Sequence, residues 1–300
     1  MTRSATRLQV EQVARADVAG AQQLTAPRVV GVAGCGAMGL PMARRLRAAG
    51  FEVFGFDIRP AAEFGDFAPR MVADPAEFAR RCDCVVSVVR NARQTHDLCF
   101  DRQGMCCPGS SIRTLVISST LAPREVAAVR RRLATGIALL DAPMSGAPVA
   151  AERGCLTFMV GGDAADVEHC RPLFEAMGDA VHHCGECMSG MTVKVLNNYV
   201  ALSSVVAVRR VLDAATGLGV DTRLLRDIMS QSSGATWYGN RFEEISWSRE
   251  GFEPGNTIEI LDKDLGAALD AMEAAEVGGD HGLADSLRAA LRGLKPFGGD

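Results

Sequence analysis

The sequence predicts an α/β protein in two unlike parts: an N-terminal doubly wound, mostly parallel sheet followed by an all-helical C-terminal domain. Three observations carry this. Short apolar runs alternate with helically spaced segments from Arg28 onward, the pattern of βαβ units. A glycine-rich turn stands directly after the first run. Beyond Gly190 the strand signal stops, and long amphipathic stretches with few turn residues take over.

Val29–Ala33 is a continuous apolar run, as in a strand buried on both faces. Met42–Ala49 has helical spacing, and Gly50 closes it. Phe51–Phe56 reads as the second strand and Glu77–Arg81 as the end of a further helix. Cys84–Val89, Leu115–Ser118, Ile137–Leu140 and Leu156–Val160 read as the third to sixth strands. Met191–Leu218 is a long, mostly buried helix without a turn residue until Gly217 and Gly219. Arg223–Gln231, Asn256–Glu276 and Gly282–Leu294 are also helical. The expected division is a poorly ordered leader over 1–27, a sheet domain over 28–188 and a helical domain over 189–300.

Composition excludes some functions. A net charge of -4 gives no reason to expect nucleic acid or an anionic membrane as partner. No apolar run approaches the ~20 residues of a membrane span, and the leader lacks the apolar core of a secretory signal. The ten cysteines are scattered, with Cys35, Cys82, Cys84, Cys155 and Cys170 in apolar or ordinary helical contexts. That is no disulfide framework, and a cytoplasmic location is the simpler expectation. The one cluster, His182-His183-Cys184-Gly185-Glu186-Cys187, contains C-x-x-C but has no second pair elsewhere. It reads as buried thiols and a satisfied histidine, and no metal site is expected.

Gly34-Cys35-Gly36-Ala37-Met38-Gly39 is G-x-G-x-x-G after a strand and at the opening of a helix. In that context it is the fingerprint of a Rossmann-type dinucleotide site: one glycine for the turn, one for close approach of a pyrophosphate, one for helix–sheet packing. The N–H groups of the helix start then hold phosphate. Asp57 closes the second strand, where a carboxylate meets a ribose 2′-hydroxyl. It favours NAD; Arg59, two residues on, leaves NADP open.

Asp141-Ala142-Pro143-Met144-Ser145-Gly146 follows the fifth strand, at the edge where such sheets place ligands. Its Ser-Gly offers a hydroxyl and N–H groups to a carboxylate. Lys194 and Asn198 are four residues apart near the start of the long helix and share one face. Partial burial in a cleft lowers a lysine pKa towards neutrality, which suits acid–base work.

These motifs, with Ser119-Thr120, Gly161-Gly162, Gly219-Val220-Asp221 and Lys263-Asp264-Leu265, resemble the β-hydroxyacid dehydrogenase family from Arg28 to about Leu291. The resemblance implies hydride transfer between NAD(P) and a small hydroxy-carboxylate. Lys194 is then the general acid/base and Asn198 an amide holding substrate. Ser145 and Gly146 match the carboxylate loop, and Trp237 and Asn240 substrate-side positions. Thr120 matches a cofactor contact and Lys263 a lysine closing over the cofactor. Val89 and Arg90, at the cofactor edge, replace the usual Leu-Pro; Ala147 and Met188 replace usual glycines, and Arg210 a glutamate. The rival readings are a reductase of a bulkier aldehyde or imine on the same scaffold, or a non-catalytic NAD(P)-binding protein. A homo-oligomer, dimer or tetramer, is expected because a long apolar helix often packs across a dimer.

Overall fold

The computed structural model describes residues 26–278 and 282–298; all but the end of the expected leader lies outside them. The strands are β1 Val29–Ala33, β2 Glu52–Phe56, β3 Cys84–Ser87, β4 Thr114–Ile117, β5 Ala138–Asp141, β6 Met144–Ser145, β7 Leu156–Gly161 and β8 Gly178–Gly185. In the sheet domain the helices are α1 Gly39–Ala48, α2 Pro75–Arg81, α3 Ala92–Cys99, α4 Pro123–Arg132, α5 Ala147–Arg153 and α6 Ala164–Met177. The helical part contains α7 Ser189–Gly217, α8 Thr222–Ser230, α9 Trp237–Asn240, α10 Thr257–Ala274 and α11 Gly282–Arg292.

The strand order is β2-β1-β3-β4-β5-β7-β6, with β8 beside β7. β1 to β5 are mutually parallel, and β7 joins β5 antiparallel at Asp141 and Gly161 alone. The chain reverses its winding between β1 and β3, so the glycine-rich turn opens at the switch point where such sheets bind ligands. Apolar side chains on both faces form two cores, one around Val30, Met42 and Phe158, the other around Phe78, Leu115 and Val126. A third core joins α7 to the later helices through Leu202, Tyr238, Phe242 and Leu265.

Six strands were legible in the sequence; two were not. β6 has only two residues, too few for any periodicity. β8 carries Asp179, His182 and His183 on a half-exposed edge, so it lacks the apolar signature of a central strand. The C-x-x-C segment spans the end of β8 and the turn into α7. Its thiols are half-buried, not buried, and both interact electrostatically with Asp141. His183 Nε2 sits 3.0 Å from the carbonyls of Gly162 and Gly185. Cys155, expected in an apolar or ordinary helical context, is exposed in the turn between α5 and β7.

α7 also corrects the expectation about apolar runs. By length and composition it is long and apolar enough to cross a membrane. Yet it buries Lys194, Asn198 and Arg209 and packs along α10 and α9, as a core helix does. Arg209 is fully buried and donates to the carbonyls of Ser248 at 2.8 Å, Glu250 at 2.7 Å and Lys295. It ties the chain end to the middle of α7; the neighbouring Arg210 faces solvent.

Candidate active site

The turn from β1 to α1 has the three properties its glycines predict. Gly34 has φ +93, and a Cβ there would lie 2.8 Å from the Val88 carbonyl oxygen. A Cβ on Gly39 would overlap the Gly34 carbonyl oxygen. At Gly36 a Cβ would meet nothing within 4 Å, so this backbone faces open space beside exposed Ala37 and half-buried Met38. α1 has no side-chain cap and no acidic residue in its first turn. Its free N–H groups and positive dipole end are therefore available to an external anion.

Asp57 lies beside this turn. Its Oδ2 accepts the Cys35 N–H at 2.9 Å, and its Oδ1 accepts Arg59 Nε at 3.0 Å. Burial opposes the charge, but hydrogen bonds from the Arg59 side chain and backbone and from Cys35 outweigh it, holding the carboxyl below its usual range. Arg59 also donates to the Cys35 carbonyl at 3.0 Å and stacks on Phe64. At the carboxyl ends of β3 and β4, the buried hydroxyls of Ser87, Ser118 and Ser119 have no hydrogen-bond partner. Unpaired buried hydroxyls are rare unless something else satisfies them. Together with the open Gly36 face, they fit a polar dinucleotide along this crevice. Val89 and Arg90 lie on the adjoining β3–α3 turn, with Arg90 exposed and its N–H on Gln94 Oε1 at 2.9 Å.

Lys194 and Asn198 are both buried on one face of α7, 6% and 8% exposed. Asn198 donates to Asp264 Oδ2 at 2.7 Å. Lys263 donates to the Thr120 carbonyl at 2.6 Å and lies 3.1 Å from Asp264 Oδ1, within ion-pair range but off the hydrogen-bonding direction. Burial drives the Lys194 ammonium down to about 8; the Asp264 carboxylate holds it up and Lys263 pushes it further down. A lysine in this setting exchanges protons near neutral pH. Through Lys263 and Thr120 this group adjoins the crevice at the end of β4. Met191, on the first turn of α7, accepts the Leu121 N–H on its sulfur at 3.3 Å.

Ser145 is half-buried on β6, opposite Thr157 of β7. Gly146, φ +138, starts α5. The two positions that depart from glycine retain glycine-like backbone: Ala147 has φ 61 and Met188 φ 83. Trp237 and Asn240 are exposed and do not join Lys194. They lie on α9, where a Cβ on Gly239 would contact Val208 at 3.5 Å; Val208 is about 21 Å along α7 from Lys194 at 1.5 Å per residue. Sequence reasoning missed two groups. Asp264 was visible only as a neighbour of Lys263, and Asp141, fully buried with its carboxyl pushed up to about 6 by burial, only as the first residue of a loop motif.

Known proteins resemble both halves. Residues 29–185 match the model of the NAD binding domain of 6-phosphogluconate dehydrogenase. Residues 189–284 match that of the NAD-binding region of NADP-dependent 3-hydroxyisobutyrate dehydrogenase. The chain is 34% identical to an L-threonate dehydrogenase of Cupriavidus necator, over 81% of this chain and 83% of that one. It is 35% identical to an NAD-dependent L-serine dehydrogenase of Pseudomonas aeruginosa, over 81% and 84%. Among solved structures, Mycobacterium tuberculosis 3-hydroxyisobutyrate dehydrogenase with L-serine superposes with a TM-score of 0.71 at 27% identity, covering 87% of this chain and 91% of that one.

Proposed function

Because this chain belongs to the β-hydroxyacid dehydrogenase family, an NAD(P)-dependent group of oxidoreductases acting on hydroxy acids, we propose that Lys194 is its proton-transfer residue and a small β-hydroxy acid its substrate. The observation that carries this is the buried lysine held near pKa 8 beside Asn198 and Asp264, next to the dinucleotide crevice. When bound, the nicotinamide supplies the hydride acceptor or donor. In oxidation neutral Lys194 takes the hydroxyl proton at Nζ; in reduction its ammonium returns one to the developing alkoxide. Asn198, oriented by Asp264, holds the substrate oxygen. Ser145 and the N–H of Gly146 grip the carboxylate and fix the distance from carboxylate to carbinol. Lys263, anchored on Thr120, helps exclude water from the crevice.

The Rossmann-type domain of 28–188 would then bind cofactor, and the helical domain of 189–300 would complete the substrate side. Asp57 favours NAD over NADP. The exposed apolar face of α7, Val193, Leu196, Val200 and Val211, is continuous in kind with Leu224 and Ile228 on α8 and Trp237 on α9. Such a patch suits burial against a second copy, and a substrate role for Trp237 and Asn240 requires one. Ten free cysteines suit the cytoplasm.

The test is reduction of NAD and NADP with L-serine, L-threonate, glycerate, 3-hydroxyisobutyrate and 4-hydroxybutyrate. Turnover confined to acids with a 3-hydroxyl is expected; preference for 4-hydroxybutyrate, or no turnover of any acid, overturns the substrate class. Ser145→Ala should raise KM for the acid about tenfold, the scale of one hydrogen bond to a charged group, with cofactor Kd unchanged. Light scattering should give a dimer or tetramer.

A further inference from the structure

The first turn of α7 is held by a charge from a distant part of the chain. Asp141 ends β5 and has no exposed surface. Its Oδ1 accepts the Met188 N–H at 2.7 Å, and its Oδ2 accepts the Met191 N–H at 2.6 Å. The Cys187 thiol lies beside the same carboxylate and helps hold its charge. α7 has no side-chain cap of its own, so Asp141 does from the sheet what an N-cap residue does locally. Free N–H groups and the helix dipole favour its charge. Even so, desolvation prevails and lifts the carboxyl to about 6. Serine or asparagine satisfies helix N–H groups without desolvating a charge, so capping alone does not account for an aspartate here.

The contact has no slack. A Cβ on Gly161 would overlap Asp141 Oδ1. One on Gly190 would overlap the Met159 carbonyl oxygen and come within 2.7 Å of the Asp141 carbonyl oxygen. Strand ends and helix thus meet backbone to backbone, and the carboxylate locks the register in both directions along α7. Lys194 follows Met191 by three residues, one turn on and on the same face. Any tilt of the first turn is carried directly to the lysine.

We propose that Asp141 is a positioning residue: by gripping the first turn of α7 it sets where Lys194 stands over the strand ends and keeps it out of water. The proposal rests on the reading of Lys194 as the proton-transfer group. The groups facing Asp141 are the N–H groups of α7, the thiols of Cys184 at the end of β8 and Cys187 in the β8–α7 turn, and side-chain-free Gly161 of β7. Those facing Lys194 are Asp264 and Lys263 of α10.

The experiment compares Asp141→Asn with wild type and Lys194→Ala in the full chain. Amide exchange should quicken across 186–194 and not in β1–β5. Turnover should fall about 10–100-fold, the scale of a misplaced reacting group, while Kd for NADH and substrate KM stay within about threefold. The pH limb near 8 should move upward, because a loosened helix admits water to the ammonium and removes the burial that depresses it. A cap with only a structural role would change the melting temperature and leave that limb in place. An unmoved limb, or unchanged exchange at 186–194, overturns the proposal. If Lys194→Ala is inactive while the Asp141→Asn limb stays, only this proposal falls; if Lys194→Ala keeps turnover, the lysine reading falls and takes the proposal with it. Should Asp141→Asn not fold, Asp141→Ser, which keeps one acceptor without the charge, is judged by the same outcomes.

Discussion

Two of the helix N-termini at the carboxyl edge of this sheet are treated in opposite ways. Both α1 and α7 lack a side-chain cap and an acidic first turn. Locally they are equivalent anion sites. At α1 the backbone around Gly36 faces open space. At α7 the Asp141 carboxylate already fills the position. One dipole end is kept for a ligand's phosphates and the other is consumed in holding the helix that carries Lys194. A free helix end is therefore not a property of the helix; it depends on what the rest of the chain brings to it.

The largest expected effect is on the α7 side. Lys194→Ala should lower kcat by about 10²–10⁴-fold, the usual contribution of a general acid–base group, with NADH still bound; kcat within about threefold of wild type removes the assignment. The wild-type profile carries the sign. Oxidation needs the neutral amine, so its rate should rise with pH through about 8, and reduction should fall through the same value. Because folding lowers this lysine from 10.5, the ammonium is penalised below about 8, and stability recovers as pH rises from there towards the unfolded value. Lys194→Met should accordingly raise the melting temperature at pH 7 while abolishing turnover.

The next test converts one helix end into the other. Gly36→Asp puts a carboxylate at the open end of α1, where the new Cβ meets nothing within 4 Å. The fold should survive. NADH affinity should drop about 100-fold, because the new charge opposes the pyrophosphate and competes for the same N–H groups. Unchanged affinity by fluorescence titration would mean that the phosphates do not use this end.

A smaller effect is expected at Asp57. Removing it by Asp57→Ala frees Arg59 and the Cys35 N–H, and the kcat/KM ratio of NAD to NADP should fall about tenfold or more. A wild-type preference for NADP, or an unmoved ratio, breaks the reading of β2. The smallest is at the turn into α7. Met188 has φ 83, and a non-glycine residue there is strained by about 1–2 kcal/mol. Met188→Gly should stabilise by about 1 kcal/mol after glycine's entropy is subtracted, read as a rise in melting temperature. A fall would show that the Met188 side chain contributes packing that outweighs the strain.

The sequence alone determined the sheet, the cofactor turn and the pairing of Lys194 with Asn198. Each rests on interactions a few residues apart: continuous apolar strands, three glycines with distinct steric demands, and the i, i+4 geometry of a helix. Short β6 and half-exposed β8 were illegible because neither carries a periodic apolar signal. The partners of the lysine were also beyond reach. Asp264 meets Asn198 across 66 residues, and Asp141 meets Met191 across 50. No local spacing encodes such contacts; they exist only once β5, α7 and α10 are packed together. The same holds for Trp237 and Asn240, which the family resemblance assigned to the pocket but whose helix packs against Val208 of α7. Local chemistry chose which residues are capable of acting, and tertiary packing decided which of them stand together, because burial, charge pairing and close backbone approach all require segments far apart in the chain.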